Sequence, residues 1–110
     1  MSQIDALIEL MGKLRDPEFG CPWDLKQSIE SLLPHTLEEV YEVADAIENG
    51  SRVELEDELG DLLFQVVFYA QLAQEEGSFD FEAVAGGVTR KLLRRHPHVF
   101  PDGTLQSFGK

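Results

Sequence analysis

The 110-residue chain reads as an all-α protein, a bundle of four to five helices. Three observations predict this. Apolar residues recur at three- and four-residue spacing over long stretches. Ser or Thr followed three residues later by an acid marks several helix starts. Gly and Pro punctuate the ends, and no convincing strand, internal repeat or low-complexity stretch lies between them.

Ser2 with Asp5 forms a capping box, after which Ile4, Leu7, Ile8, Met11 and Leu14 repeat at helical spacing. Pro17, Gly20 and Pro22 end that helix in a loop over residues 16–24. A short helix over 25–33 follows, stopped by Pro34, because the residue before a proline is pushed toward extended backbone. Thr36 and Glu39 make the next capping box and open a helix over 37–48. In it Leu37, Val40, Val43, Ala44 and Ile47 form one apolar stripe; Glu38, Glu42 and Asp45 form the opposite one, with Glu39 beside it. Asn49-Gly50 ends this helix and Ser51 with Glu54 caps the next, which runs from 52 to about 76 and is apolar around most of its girth from Leu62 onward. Gly77-Ser78 breaks it. Asp80 then caps a last helix, from 81 to about 95, ended by His96-Pro97. Residues 1–101 read as one domain and 102–110 as a C-terminal loop or tail.

The formal net charge of −12 argues against DNA, RNA or an anionic membrane as a main partner. The charge is segregated. Residues 38–61 are crowded with acids around the single base Arg52, whereas Arg90, Lys91, Arg94 and Arg95 cluster near the end of the last helix. Cys21 is the only cysteine, so neither an intrachain disulfide nor a thiolate metal site is available. No signal peptide opens the chain and no apolar run approaches the roughly 20 residues of a membrane span. The expected setting is therefore cytoplasmic.

The pairs Glu39-x-x-Glu42 and Glu58-x-x-Asp61 carry the chemistry. Residues three apart share a helix face, so two such pairs on consecutive antiparallel helices can converge four carboxylates on one spot. Like charges in a desolvated site repel and call for a cation between them, and hard oxygen donors select Mg²⁺ or Mn²⁺ over zinc or copper. A solvated acidic face is the competing reading. Against it stand Gly60, a costly helix-interior residue set between Glu58 and Asp61, and the continuation of the acidic face into Phe68 and Leu72. A di-iron site lacks its Glu-x-x-His pairs, an EF-hand its alternating ligands, and zinc its clustered His or Cys. The basic cluster either complements the helix dipole or neutralises phosphates. Trp23 and Phe19 flank a loop, where Trp23 either plugs the core or stacks on a base. His35, His96 and His98 show no nucleophile–base pairing, and no glycine-rich phosphate loop precedes a helix.

Three runs then resemble the MazG nucleoside triphosphate pyrophosphohydrolases. They are Thr36-Leu37-Glu38-Glu39-Val40-Tyr41-Glu42, the run from Glu58-Leu59-Gly60-Asp61 through Val67, and Arg94-Arg95-His96-Pro97-His98-Val99-Phe100. The Gly20-Cys21-Pro22-Trp23-Asp24 segment resembles the amino-terminal MazG domain in particular. The resemblance implies helical protomers that pair to enclose the site and use Mg²⁺ to split an NTP into NMP and pyrophosphate. It makes Glu39, Glu42, Glu58 and Asp61 the metal ligands, with Mn²⁺ as a substitute ion, and Glu38 the group that orients or deprotonates water. Lys91 and Arg95 would contact phosphate; Arg94, Trp23 and Lys26 complete the expected substrate contacts. Two-domain members carry this type of module first, so the chain is expected to be a free-standing enzyme or half of a larger one. A silent binding module and a pyrophosphatase specialised for one nucleotide such as dUTP are the alternatives.

Assembly is expected too. Leu63, Phe64, Val67 and Phe68 surround a helix that already has Leu59, Leu62 and Val66 for its own core. A homodimer, or a dimer of dimers, would cover the excess, and Phe68→Asp would shift it toward monomer.

Overall fold

The computed structural model describes all residues, Met1–Lys110. It is all-helical, with α1 (Gln3–Leu14), α2 (Pro22–Leu25), α3 (Ile29–Asn49), α4 (Arg52–Glu75), α5 (Phe81–Arg95) and a 3₁₀ turn at Leu105–Ser107. No helix is long and apolar enough to cross a membrane. The chain forms two compact units, Met1–Ser78 and Phe79–Lys110.

In the first unit α4 packs along α3 and against α1. Met11 of α1, Leu32 and Ala46 of α3, and Val67, Phe68, Ala70, Leu72 and Ala73 of α4 make the core. Two of the expected capping boxes are present: Ser2 Oγ accepts from the Asp5 amide at 3.1 Å and Ser51 Oγ from the Glu54 amide at 3.2 Å.

The third box lies elsewhere. α3 is capped by Ser28, whose Oγ accepts from the Ser31 amide at 3.1 Å, and it runs unbroken through Pro34. The expected helix over 25–33 and the expected helix over 37–48 are therefore largely one element. Pro34 is tolerated because it sits early in the helix, where it removes a single amide donor, the one for the Glu30 carbonyl. Thr36, expected as a cap, instead returns its hydroxyl to the Leu32 carbonyl at 3.1 Å.

Residues 22–25 are also helical rather than loop: Pro22 sits at the first helical position, where its fixed φ suits a helix start, and so Trp23 and Asp24 lie on α2. Before it, the chain turns so tightly at Gly20 that a Cβ would strike the Leu14 and Asp16 carbonyl oxygens. Arg15 fastens this turn. Its Nη1 donates to the Asp24 carbonyl at 2.6 Å, and its Nε donates to Glu75 Oε2 at 3.1 Å at the far end of α4.

Two packing expectations are corrected. The α3 face toward α4 is Leu32, Thr36, Glu39, Val43 and Ala46, all buried or half-buried and spaced like a coiled-coil seam. Of the expected apolar stripe only Val43 is sheltered; Leu37, Val40, Ala44 and Ile47 are exposed. The seam has turned by about one residue, which puts Thr36 and Glu39 in packed positions. Phe68, offered above as an interface residue, is fully buried and lies edge-on to Phe64 at 5.7 Å. A charge there would break the protomer itself, so Val40 and Ile47 are the better probes of assembly.

In the second unit Asp80 caps α5 by accepting from the Ala83 amide at 2.9 Å. The helix ends at His96, whose carbonyl accepts from the Val99 and Phe100 amides at 3.0 and 2.8 Å. The segment after Pro101 is not wholly loop. Ser107 in the 3₁₀ turn is buried and donates to the Thr104 carbonyl at 2.7 Å, and the Phe108 ring lies 5.9 Å from that of Phe100.

Candidate metal centre

Glu39 reaches the α3–α4 seam because α3 is capped at Ser28 and keeps its register through Pro34; Glu58 and Asp61 meet it from α4, which returns after the two-residue link Gly50-Ser51. One carboxylate oxygen from each of Glu39, Glu58 and Asp61 lies within 4.8 Å of the others. Glu39 Oε1 is fully buried and has no hydrogen-bond partner. An unpaired buried acceptor of this kind is expensive unless something electropositive meets it.

The Glu39 carboxyl is pushed up to about 7, first by burial, then by Glu58, through hydrogen bonding to the protonated acid and through its charge, and then by the charges of Asp61 and Glu42. Asp61 is raised as well, by burial first and then by the charges of Asp57 and Glu58. These carboxylates resist ionising together, which is the electrostatic condition that a divalent cation relieves.

Glu42 and Glu38 are on α3 but exposed, and Glu42 lies outside the close three-carboxylate group. Gly60, between two of the carboxylates, has open space where a Cβ would be: nothing lies within 4 Å. Packing inside the protomer therefore does not require a glycine here. Gly60→Ala is expected to stabilise the chain by about 0.5–1 kcal/mol through helix propensity. Urea unfolding would show it as a raised midpoint, and a lowered midpoint would mean that the protomer itself crowds Gly60. The groove beside it, about 390 Å³, is lined by Val53, Glu56, Asp57, Gly60 and Asp61. A groove of about 480 Å³ between α1 and the Gly20 turn includes none of the three carboxylates.

Trp23 is half exposed, not a plug over the core, and stands edge-on to His35 at 5.3 Å. Lys26, which caps the end of α2, is exposed, as is Phe19. Lys91, Arg94 and Arg95 are exposed near the C-terminal end of α5 in the second unit. Sequence reasoning missed the Arg15 clamp and the buried Asp24. No local pattern marks them, since their partners lie in other elements.

The MazG nucleotide pyrophosphohydrolase domain family has a sequence model that matches residues 27–100. The chain belongs to this family. It is similar to an Escherichia coli K12 protein named nucleoside triphosphate pyrophosphohydrolase, with 57% identity over 107 residues, covering 97% of this chain and 41% of the relative. A Thermotoga maritima protein named nucleoside triphosphate pyrophosphohydrolase/pyrophosphatase MazG is 49% identical over 104 residues, 94% of this chain and 40% of that one. The chain thus spans about two-fifths of the length of these curated relatives. A solved structure, that of a mazG-related protein from Thermotoga maritima, superposes with a TM-score of 0.65 at 33% identity, covering 88% of this chain and 79% of the other. The MazG family model begins after α2, yet the match to the Escherichia coli protein is long enough to include most of α1 and α2.

Proposed function

We propose that this MazG chain is a metal-dependent nucleoside triphosphate pyrophosphohydrolase that converts (d)NTPs to (d)NMP and pyrophosphate, clearing the cytoplasmic nucleotide pool. The observation that carries the proposal is the buried, unpartnered Glu39 Oε1 within reach of Glu58 and Asp61, in a chain whose relatives bear that activity in their names.

The residues fit the ion. The cluster is all oxygen, with an orphaned acceptor and raised carboxyl groups, which suits Mg²⁺ with Mn²⁺ as a substitute. Glu39, Glu58 and Asp61 would hold it, with Glu42, one turn along α3 from Glu39, as the fourth ligand. A divalent ion held there would draw charge from the polyphosphate and acidify the attacking water. Glu38, exposed and next to Glu39 in sequence, would orient that water or take its proton. Lys91, Arg94 and Arg95 neutralise phosphate oxygens; the half-exposed Trp23 offers its ring to the base and Lys26 its ammonium to the phosphates.

Residues 1–101 form the functional domain in this reading, with 102–110 as its tail. Self-association completes it as a homodimer or dimer of dimers. Leu37, Val40 and Ile47 of α3, with Leu59, Leu63 and Val66 of α4, remain exposed, an apolar load that a lone protomer leaves in water.

Incubating the pure protein with each NTP and dNTP plus Mg²⁺ and resolving the products tests the proposal. NMP and pyrophosphate are expected, with EDTA abolishing both. Release of NDP and orthophosphate would refute the reaction class; measurable binding without turnover would make the chain a nucleotide-binding module.

A further inference from the structure

Next to the carboxylates the α3–α4 seam holds a second polar layer. Thr36 Oγ1 contacts Gln65 Oε1 at 2.9 Å, the Leu32 carbonyl at 3.1 Å and the Tyr69 hydroxyl. A Thr hydroxyl has one proton to give. Tyr69 therefore donates to Thr36, and the Thr36 proton is shared between the two carbonyl oxygens. The Gln65 carbonyl oxygen faces Thr36 in this arrangement, which leaves the two Nε2 donors with no acceptor in the chain. The opposite amide orientation would present a lone pair toward a region of carboxylates, which is electrostatically worse.

The placement gives this donor a use. Gln65 follows Asp61 by four residues and Glu58 by seven, on the same α4 face, and Thr36 precedes Glu39 by three on α3. The next layer of the seam is apolar, with Leu32, Phe68 and Leu72 buried, so three half-buried polar side chains occupy positions where aliphatic groups would pack. A neutral donor is the chemistry such a border needs. A Lys or Arg would pair with the carboxylates and compete with a cation, and a Glu would repel an anionic ligand.

We infer that Gln65 is a substrate-binding residue whose Nε2 donates to a non-bridging phosphoryl oxygen of the polyphosphate, and that Thr36 and Tyr69 are positioning residues that hold its amide. The assignment rests on the triphosphate reading above.

The test uses the whole chain, with Mn²⁺ and inorganic triphosphate as separate calorimetric probes and kcat and KM measured on the best nucleotide. Gln65→Glu keeps the length and the oxygen that meets Thr36 but loses the donor. It is expected to leave Mn²⁺ affinity no weaker and to weaken triphosphate binding about 10- to 100-fold, with KM rising more than kcat falls. Thr36→Val and Tyr69→Phe should weaken triphosphate binding less, about 3- to 10-fold, and Thr36→Ser should restore it. Unchanged triphosphate affinity in Gln65→Glu, or a parallel loss of Mn²⁺ binding, would overturn the assignment. Should Gln65→Glu fail to fold, the Thr36→Val and Thr36→Ser pair decides: equal triphosphate affinities overturn it. Wild type that binds triphosphate with Mn²⁺ but turns over no nucleotide would sink the hydrolase reading alone, with the Gln65 contact still read by calorimetry. Wild type that turns over nucleotide but binds no triphosphate overturns the Gln65 assignment alone, and wild type that does neither overturns both.

Discussion

Glu58→Gln and Asp61→Asn are expected to lower kcat/KM for nucleotide hydrolysis by at least about a hundredfold, because each removes a charged oxygen from the set proposed to hold the cation. The shape of each side chain is kept, so helical content should not change. Neither variant is expected to be less stable than wild type without metal at pH 8, since each removes one of the charges that raise Glu39. Glu42→Gln should also cost activity if the exposed Glu42 joins as the fourth ligand, and Mn²⁺ titration of all three variants reads the ligand set directly. Wild-type activity at limiting Mg²⁺ in the Glu58 and Asp61 variants would remove the metal assignment.

The stability of the metal-free protein is expected to fall as pH rises from 5 to 8. Glu39 titrates from an ordinary 4.5 in the unfolded chain but near 7 in the folded one. Between those values the folded state keeps a proton that the unfolded state has released, so stability declines across the window and levels off above it. The decline from this group, discounted for its partial exposure, is about 1–2 kcal/mol, or on the order of 5–10 °C in Tm. Asp61 is raised as well and adds in the same direction, from its ordinary 3.8 upward. Glu75, held low by its hydrogen bond to Arg15, and Asp16 and Asp102, held low by local hydrogen bonds, act below the ordinary carboxyl range, outside the window. Glu39→Gln should flatten the slope, and saturating Mg²⁺ or Mn²⁺ should stabilise increasingly as pH rises, because the cation competes with the proton. Melting curves at pH 5, 6, 7 and 8 with and without metal check both; a Tm that rises over this range without metal would contradict the origin given for the Glu39 shift.

What was legible in the chain was what neighbours in sequence decide. The Ser2 and Ser51 boxes, the long α4 and the Asp80 cap depend on contacts three or four residues away, and they stand where periodicity put them. Pro34 misled because a proline's effect depends on how far into the helix it falls, and the true cap, Ser28, pairs with another Ser instead of an acid. The orientation of α3 was illegible for a different reason. It carries two adjacent stripes at similar spacing, and only the partner helix decides that Thr36 and Glu39 turn inward while Val40 and Ile47 stay in water. For the same reason the spacing of Glu39, Glu58 and Asp61 suggested convergence, whereas the exposed position of Glu42 and the hydroxyl–amide layer at Thr36 required the packed pair.

The link Gly50-Ser51 has a consequence for how the molecule comes together. Joined by two residues, α3 and α4 close with little loss of chain freedom, and their contacts are local enough to form early on the way to the native state. The carboxylates sit inside that first-formed hairpin. Their mutual repulsion would then be felt at the start of folding, before α1 docks, and a divalent ion held between them would ease the earliest pairing of the chain.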